Sequence, residues 1–286
     1  MEQVLHHGRA TAYRVADPAA AGPTTLYVHG SGSNHRVWGH QYGPDGPAHP
    51  AVALDLSGHG ESDDIETEPG PETLSAYVDD VAAVARETGA DVIVGHSLGG
   101  AVVLQLLLDG VHDPAGAVFA DTGAKLAVHE EIRRLLAEDF PALVDLLHRD
   151  SRLLYGTDEP DENRTEDSDA PAEDRAEDSN ALTDVRVVDH SREALLSAGQ
   201  RVTHRDFLTC HSFDVRDRLA ELSLPALAIV GEHDSLTPPA YLEFLAEHIE
   251  GCRMATVEDA AHLSMLEQPR AFNRALAAFC ERIEGD

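Results

Sequence analysis

Short apolar runs recur along the first 121 residues, and each ends at a glycine, histidine or aspartate. Residues 24–28 read TTLYV and lead into His29-Gly30, and 51–54 read AVAL and lead into Asp55. Residues 92–94 read VIV before Gly95, and 117–120 read AVFA before Asp121. Runs this short and unbroken predict strands buried on both faces. Between them, Leu74, Tyr77, Val78, Val81, Val84 and Ala85 fall at helical spacing, and 98–108 is apolar enough for a buried helix. Strands alternating with helices predict a parallel sheet. At the N-terminus, Val4-Leu5 and residues 12–15 predict short strands parted at Gly8, before a break at Gly22-Pro23.

The rhythm stops after Asp121. Residues 127–149 carry helical spacing through Ile132, Leu135, Leu136, Phe140, Leu143, Leu146 and Leu147. Residues 158–178 have no apolar period, contain Pro160 and Pro171, and predict a solvated, disordered loop. Helical material resumes over 192–222. Strand and helix patterns return as 225–230, 239–248, 253–257 and 269–283. The pattern therefore predicts an α/β core from 1–121 and 223–286, with a mostly parallel, doubly wound sheet. The inserted residues 122–222 predict a helical cap. The apolar stripe on 132–147 fits two placements equally, a roof over a pocket or packing of the cap on the core.

Composition narrows the function classes. The chain has 286 residues, enough to bury a full core. No apolar run approaches the roughly 20 residues of a membrane-spanning helix. Residues 1–7 lack the basic start and apolar middle of a signal peptide, so a cytoplasmic location is expected. Cys210, Cys252 and Cys280 are too few and too dispersed for a disulfide framework or metal cluster. Acidic residues number 52 against 21 basic ones, for a net charge of -31, and Lys125 is the only lysine. Such a surface excludes nucleic acid as a partner, because phosphate recognition needs basic patches. The loop at 158–178 holds eleven acids and two arginines, so most of the charge lies elsewhere. Self-repulsion on this scale opposes a compact state at low salt. It becomes tolerable where the screening length falls to about 3 Å near 1 M salt. The near-absence of lysine resembles halophilic proteins, and high salt is expected to be needed for stability.

The candidate chemistry starts at Gly95-His96-Ser97-Leu98-Gly99-Gly100, between the strand at 92–94 and the helix at 98–108. A serine between glycines at such a junction points to a nucleophile on a sharp turn. A serine hydroxyl needs a base, and the base needs an orienting group. His262, just after the strand at 253–257, is the candidate base. Asp234, just beyond the strand at 225–230, is the candidate acid. In a parallel sheet these loops share the edge at the strands' C-terminal ends, where Ser97 also sits. Asp121 ends a strand at the same edge and is the alternative acid; its other reading is a turn cap before Thr122-Gly123. Trp38 is a candidate pocket residue that could equally pack in the core, and His96 is a second candidate whose stronger reading is packing. The many histidines lack metal-ligand spacing, so no metal or cofactor is expected.

The order Ser97, Asp234, His262 resembles that of the α/β-hydrolase fold. So do Tyr27-Val28-His29-Gly30-Ser31-Gly32-Ser33-Asn34, similar to the family's oxyanion loop, and Asp55-Leu56-Ser57-Gly58-His59-Gly60-Glu61-Ser62, similar to its D-x-x-G-x-G-x-S segment. The matching blocks cover most of 24–121 and 223–283, and the chain resembles a capped, serine esterase-like hydrolase. The resemblance implies acyl transfer to water through an acyl-enzyme on Ser97. The backbone N–H groups of Ser31 and Leu98 would form the oxyanion site, with a small, mostly apolar ester as substrate. It implies that the D-x-x-G-x-G-x-S loop packs closely beside the oxyanion loop. A C–C bond hydrolase or an acyltransferase would use the same three residues. A ligand-binding sensor that kept the fold is the reading from another class. Serine at 97 disfavours the nucleophilic-aspartate dehalogenases and epoxide hydrolases of this fold, and Leu98 stands where proline iminopeptidases carry tryptophan.

Overall fold

The computed structural model describes residues 1–44, 46–149, 154 and 179–285. Among these, eight strands form one sheet in the order β1-β2-β4-β3-β5-β6-β7-β8. The strands are β1 (Glu2–His6), β2 (Arg9–Ala16), β3 (Thr25–Val28), β4 (Ala51–Leu54), β5 (Val92–His96), β6 (Gly116–Ala120), β7 (Ser223–Gly231) and β8 (Glu250–Val257). β1 and β2 form an antiparallel hairpin, and β2 joins β4 antiparallel. Every pairing from β4 through β8 is parallel. The hairpin turns at His7 and Gly8, both at positive φ (47° and 78°), the handedness that suits twisted strands.

The helices are α1 (Gly39–Tyr42), α2 (Pro71–Thr88), α3 (Leu98–Leu108), α4 (Glu130–Glu138), α5 (Phe140–Arg149), α6 (Ser179–Ser212), α7 (Pro239–His248), α8 (Ser264–Glu267) and α9 (Pro269–Gly285). Strand side chains alternate between two apolar layers. Leu26, Ile93 and Phe119 face α2 and α3, whereas Tyr27, Val94 and Val118 face α9. The core strands read as unbroken apolar runs because both faces are covered. Burial of that extent is worth about 25 cal/mol per Å² of apolar surface and dominates the stability of the sheet.

Several boundaries differ from the sequence pattern. The stretch at 127–149 is two helices, because Asp139 leaves helical geometry (φ -151°, ψ 78°). In α6, Gly199 is non-helical (φ 76°, ψ 168°) and separates the helix into two limbs. The expected helical stretch to 222 ends earlier; α6 stops at Ser212 and a short 3-10 helix spans Arg216–Glu221. The acidic loop expected at 158–178 lies outside the described residues. No helix among the described residues is long and apolar enough to cross a membrane.

The junction between β5 and α3 positions everything that follows. A methyl group on Gly95 would strike the Gly99 peptide, and one on Gly99 would strike the carbonyls of Val28 and His29. Strand, helix and the neighbouring β3 loop therefore approach at backbone contact. Gly95→Ala is expected to destabilise the fold by about 1–3 kcal/mol through overpacking, read as a lower urea midpoint at unchanged slope.

Candidate active site

Ser97 sits at the tip of that junction with φ 51° and ψ -115°, a strained conformation for a residue with a Cβ. Backbone hydrogen bonds hold it there. Its N–H donates to the Ala120 carbonyl of β6 at 3.0 Å. Its carbonyl accepts from the Thr122 hydroxyl at 2.7 Å and from the Gly100 N–H at 3.0 Å. The side chain is thereby presented at the C-terminal edge of the sheet, where it lines a cavity of about 700 Å³.

His262 lines the same cavity from the loop after β8. Its Nδ1–H donates to Asp234 Oδ2 at 2.9 Å, which leaves Nε2 as the free lone pair. The peptide groups around it are gripped by Glu267 of α8, whose carboxylate accepts from the N–H of Ala261 (3.1 Å) and of Leu263 (3.0 Å). Asp234 is held in turn by the N–H of Leu236 (2.8 Å), the N–H of Thr237 (2.9 Å) and the Thr237 hydroxyl (2.7 Å). Burial opposes charge on both partners, but their mutual attraction together with the surrounding hydrogen bonds and charges outweighs it. The pKa of His262 is raised above its usual value and that of Asp234 is lowered.

Asp121 lies at the end of β6, fully buried, with no direct hydrogen bond to His262 among those the structure shows. Its Oδ1 accepts from the Gly231 N–H at 2.8 Å, and its Oδ2 bonds the Ser264 hydroxyl at 2.5 Å. It ties the ends of β6 and β7 to α8. Burial and the nearby Asp234 charge push its pKa well above the ordinary carboxylate range.

The loop after β3 closes the other side. Gly30 packs so tightly that a Cβ there would lie 3.1 Å from Ser97 Cβ and 2.7 Å from His96 Nδ1. Within this loop, the Gly32 N–H is taken by Asp206 Oδ2 (2.9 Å) and the Ser33 N–H by the Gly30 carbonyl (3.2 Å). Ser31 lines the cavity. Leu98 opens α3, so its N–H lies at a helix N-terminus, where backbone donors and the helix dipole favour negative charge.

His96 also lines the cavity, and its Nε2–H donates to the His262 carbonyl at 2.8 Å. Burial, and then the neighbouring His262, lower its pKa to about 3, so it is neutral at working pH. Of the two readings of Trp38, pocket or core, its position fits the core one. It is fully buried against Tyr27, Phe272 and the edge of His96, away from the cavity lining. The stripe on α4 and α5 does both things expected of it as alternatives. Ile132, Leu146 and Leu147 line the cavity, and Leu136, Leu143 and Val144 join the core layer.

The glycine-rich segment 55–62 packs beside the β3 loop, as expected, through His29 and His59 with ring centroids 4.8 Å apart. It also seats α6, which the sequence pattern missed. A Cβ on Gly58 would lie 2.6 Å from Arg205 Nη2, and Arg205 donates to the carbonyls of Ile65 (2.7 Å) and Ser57 (3.2 Å). Arg205 and Asp206 carry no motif of their own, so only their burial reveals them. Glu232, His233 and Asp259 cluster with ligand-like spacing, but all three are exposed, as acidic groups on so charged a chain often are.

Residues 26–275 match the alpha/beta hydrolase family. The chain is 26% identical over 285 residues to 3-oxoadipate enol-lactonase 1 of Acinetobacter baylyi, covering 97% of this chain and 95% of that one. It is 28% identical over 258 residues to a pimeloyl-[acyl-carrier protein] methyl ester esterase of Neisseria meningitidis, covering 90% and 93%. The solved structure of a thermophilic esterase superposes with a TM-score of 0.77 at 28% identity, covering 99% and 97%. With the family matched over most of its length and hydrolases among its relatives, this chain belongs to the alpha/beta hydrolase family and is a hydrolase.

Proposed function

We propose that this protein is a serine ester hydrolase acting on small, uncharged, mostly apolar esters. The observation that carries the reading is the His262–Asp234 hydrogen bond at 2.9 Å, formed at a cavity that Ser97 and Ser31 also line. Ser97 Oγ attacks the ester carbonyl and His262 Nε2 takes its proton. His262 then protonates the departing alcohol and afterwards activates water against the acyl-enzyme. Asp234 fixes the tautomer and stabilises the imidazolium. The N–H groups of Ser31 and Leu98 receive the oxyanion, each lowering the barrier by about 2.7–4 kcal/mol. Asp121 is a structural clamp in this reading, since its two oxygens already serve Gly231 and Ser264.

The enol-lactonase and the methyl ester esterase to which the chain is similar both cleave an acyl–oxygen bond, which supports the reaction class. Residues 1–121 and 223–286 are the catalytic core in this reading, and 122–222 are the cap that selects substrate. Val37, Ile132, Leu146, Leu147 and Phe207 supply apolar walls. The net charge of -31 repels anionic substrates and favours neutral ones. The same charge underlies a second proposal, that the protein works in a salt-rich cytoplasm.

Ser97→Ala is expected to lower kcat on p-nitrophenyl acetate by on the order of 10³-fold or more; undiminished turnover would remove Ser97 from the mechanism. Asp234→Asn should cost about 10⁴-fold while Asp121→Asn leaves most activity, and the reverse ranking would make Asp121 the acid. Product analysis with an added alcohol acceptor separates hydrolysis from acyl transfer, and a 1,3-diketone assayed beside the ester tests C–C cleavage.

The pH dependence follows from the pair. Protonated His262 cannot accept from Ser97, so kcat/KM should rise as pH passes the His262 pKa, which lies above its usual 6.5. Asp234→Asn should move that midpoint down. The stability contributed by the pair is fully present below pH 6.5 and above pH 3.8. It is lost as pH rises through the raised His262 pKa, or falls through the lowered Asp234 pKa. An acid limb unmoved in Asp234→Asn would contradict this assignment.

Between about 0.1 and about 3 M KCl the screening length falls from about 10 Å to below 3 Å. The Tm is expected to climb across this range, and a Tm indifferent to KCl would refute salt dependence.

A further inference from the structure

Asp206 lies in the limb of α6 beyond Gly199 and is fully buried. A buried carboxylate is costly unless its lone pairs are engaged. Asp206 engages them with three separate parts of the fold. Its Oδ2 accepts from the Gly32 N–H of the β3 loop and from His59 Nε2 of the 55–62 segment, each at 2.9 Å. Its Oδ1 accepts from the Tyr77 hydroxyl of α2 at 2.6 Å. Tyr77 in turn accepts from Arg205 Nε at 3.3 Å.

Through Gly32, these contacts reach one of the two peptides that flank Ser31. On one side, Asp206 fixes the Ser31–Gly32 peptide through its N–H. On the other side, the Gly30–Ser31 peptide is fixed through its carbonyl, which accepts from His29 Nδ1–H at 2.8 Å and from the Ser33 N–H at 3.2 Å. The peptide is planar and trans, so holding that carbonyl aims the Ser31 N–H in the opposite direction. His29 is neutral, its pKa lowered to about 4 by burial and then by His59. Its Nε2 accepts the Leu56 N–H at 3.0 Å, which leaves the proton on Nδ1. His29 also packs against His59, which Asp206 holds. From the same helix, Leu195 fills the space where Gly32 would carry a Cβ.

We propose that Asp206 is a positioning residue that couples the docking of α6 to the direction of the Ser31 N–H, so that the oxyanion site is complete only when this helix is seated. The proposal rests on the serine-hydrolase reading above. It makes substrate selection and transition-state stabilisation depend on one helix, whose first limb lines the cavity through His190, Ser191 and Leu195 and whose second limb holds the loop.

The test compares wild type, Asp206→Asn and Tyr77→Phe in p-nitrophenyl acetate hydrolysis, in KCl at which each is folded. Asp206→Asn is expected to lower kcat by about 10- to 100-fold with KM nearly unchanged. Affinity for a trifluoromethyl ketone, whose Ser97 adduct places an oxyanion in the site, should fall by the same factor. Affinity for an alcohol that only fills the pocket should stay level. Tyr77→Phe removes the Oδ1 donor and leaves Gly32 and His59 in place, so it should lower Tm and spare kcat. Unchanged kcat and ketone affinity in Asp206→Asn, or an equal kcat loss in both variants, would overturn the proposal. A second measurement uses the wild-type chain alone. Amide hydrogen exchange of Gly32 and of residues 203–209 should report one shared opening free energy, and independent openings would overturn the coupling. If wild type shows no Ser97-dependent turnover, the functional reading fails while the exchange experiment still tests the docking.

Discussion

The backbone contact among β3, β5 and α3 is the constraint on which the rest depends. Gly95 and Gly99 let the strand and the helix meet without side chains between them, and Gly99 lies against the carbonyls of Val28 and His29. That closeness leaves one residue, Ser97, to make the reversal, and it does so at φ 51°. The strain is held by bonds to Ala120 of β6 and to Thr122 just beyond it. The same approach brings Gly30 against Ser97, so the β3 loop stands beside the turn before any substrate arrives. Preorganisation of this kind avoids reorganisation at the moment of reaction.

Around that constraint the fold uses buried carboxylates as joints. An ionised carboxylate accepts several hydrogen bonds, so one residue can tie several loops whose N–H groups would otherwise be left unpaired. Asp55 holds the N–H and Nδ1 of His35 and the N–H of Glu61. Asp121 joins β7 to α8, Asp206 joins α6 to the β3 loop, and Asp234 holds its own turn and His262. Their electrostatics diverge with their partners. Burial acts on all four, yet Asp55, Asp206 and Asp234 are lowered because each faces a histidine or several donors, whereas Asp121 is raised beside the charge of Asp234. Two aspartates at one sheet edge thus hold different protonation tendencies, which gives a physical basis for assigning them different roles.

Much of this was legible in the chain. The core strands appear as unbroken apolar runs because both faces of the sheet are covered, and the helix at 98–108 is apolar apart from Gln105 because nearly all of it is buried. The approximate positions of Ser97, Asp234 and His262 follow from their placement just after β5, β7 and β8. Trp38 was not legible, because a large apolar residue near a loop fits a pocket or a core equally. The break at Asp139 and the bend at Gly199 were missed because apolar spacing runs on across both. In the sequence, nothing distinguishes Arg205 and Asp206 from surface charge in a chain full of charge.

The sequence by itself determined the α/β architecture, the edge of the sheet where chemistry collects, and the residues able to supply a nucleophile, a base and an acid there. These rest on local signals: periodicity, glycines at a turn, and the order of loops in a parallel sheet. Tertiary structure alone decided which aspartate meets His262, because Asp121 and Asp234 end neighbouring strands and only the direction of each carboxylate separates them. It also decided that a charge 174 residues beyond Gly32 in the chain holds the loop beside Ser97. Burial assigns such pairings, and burial depends on every element that packs above the residue rather than on its neighbours in sequence.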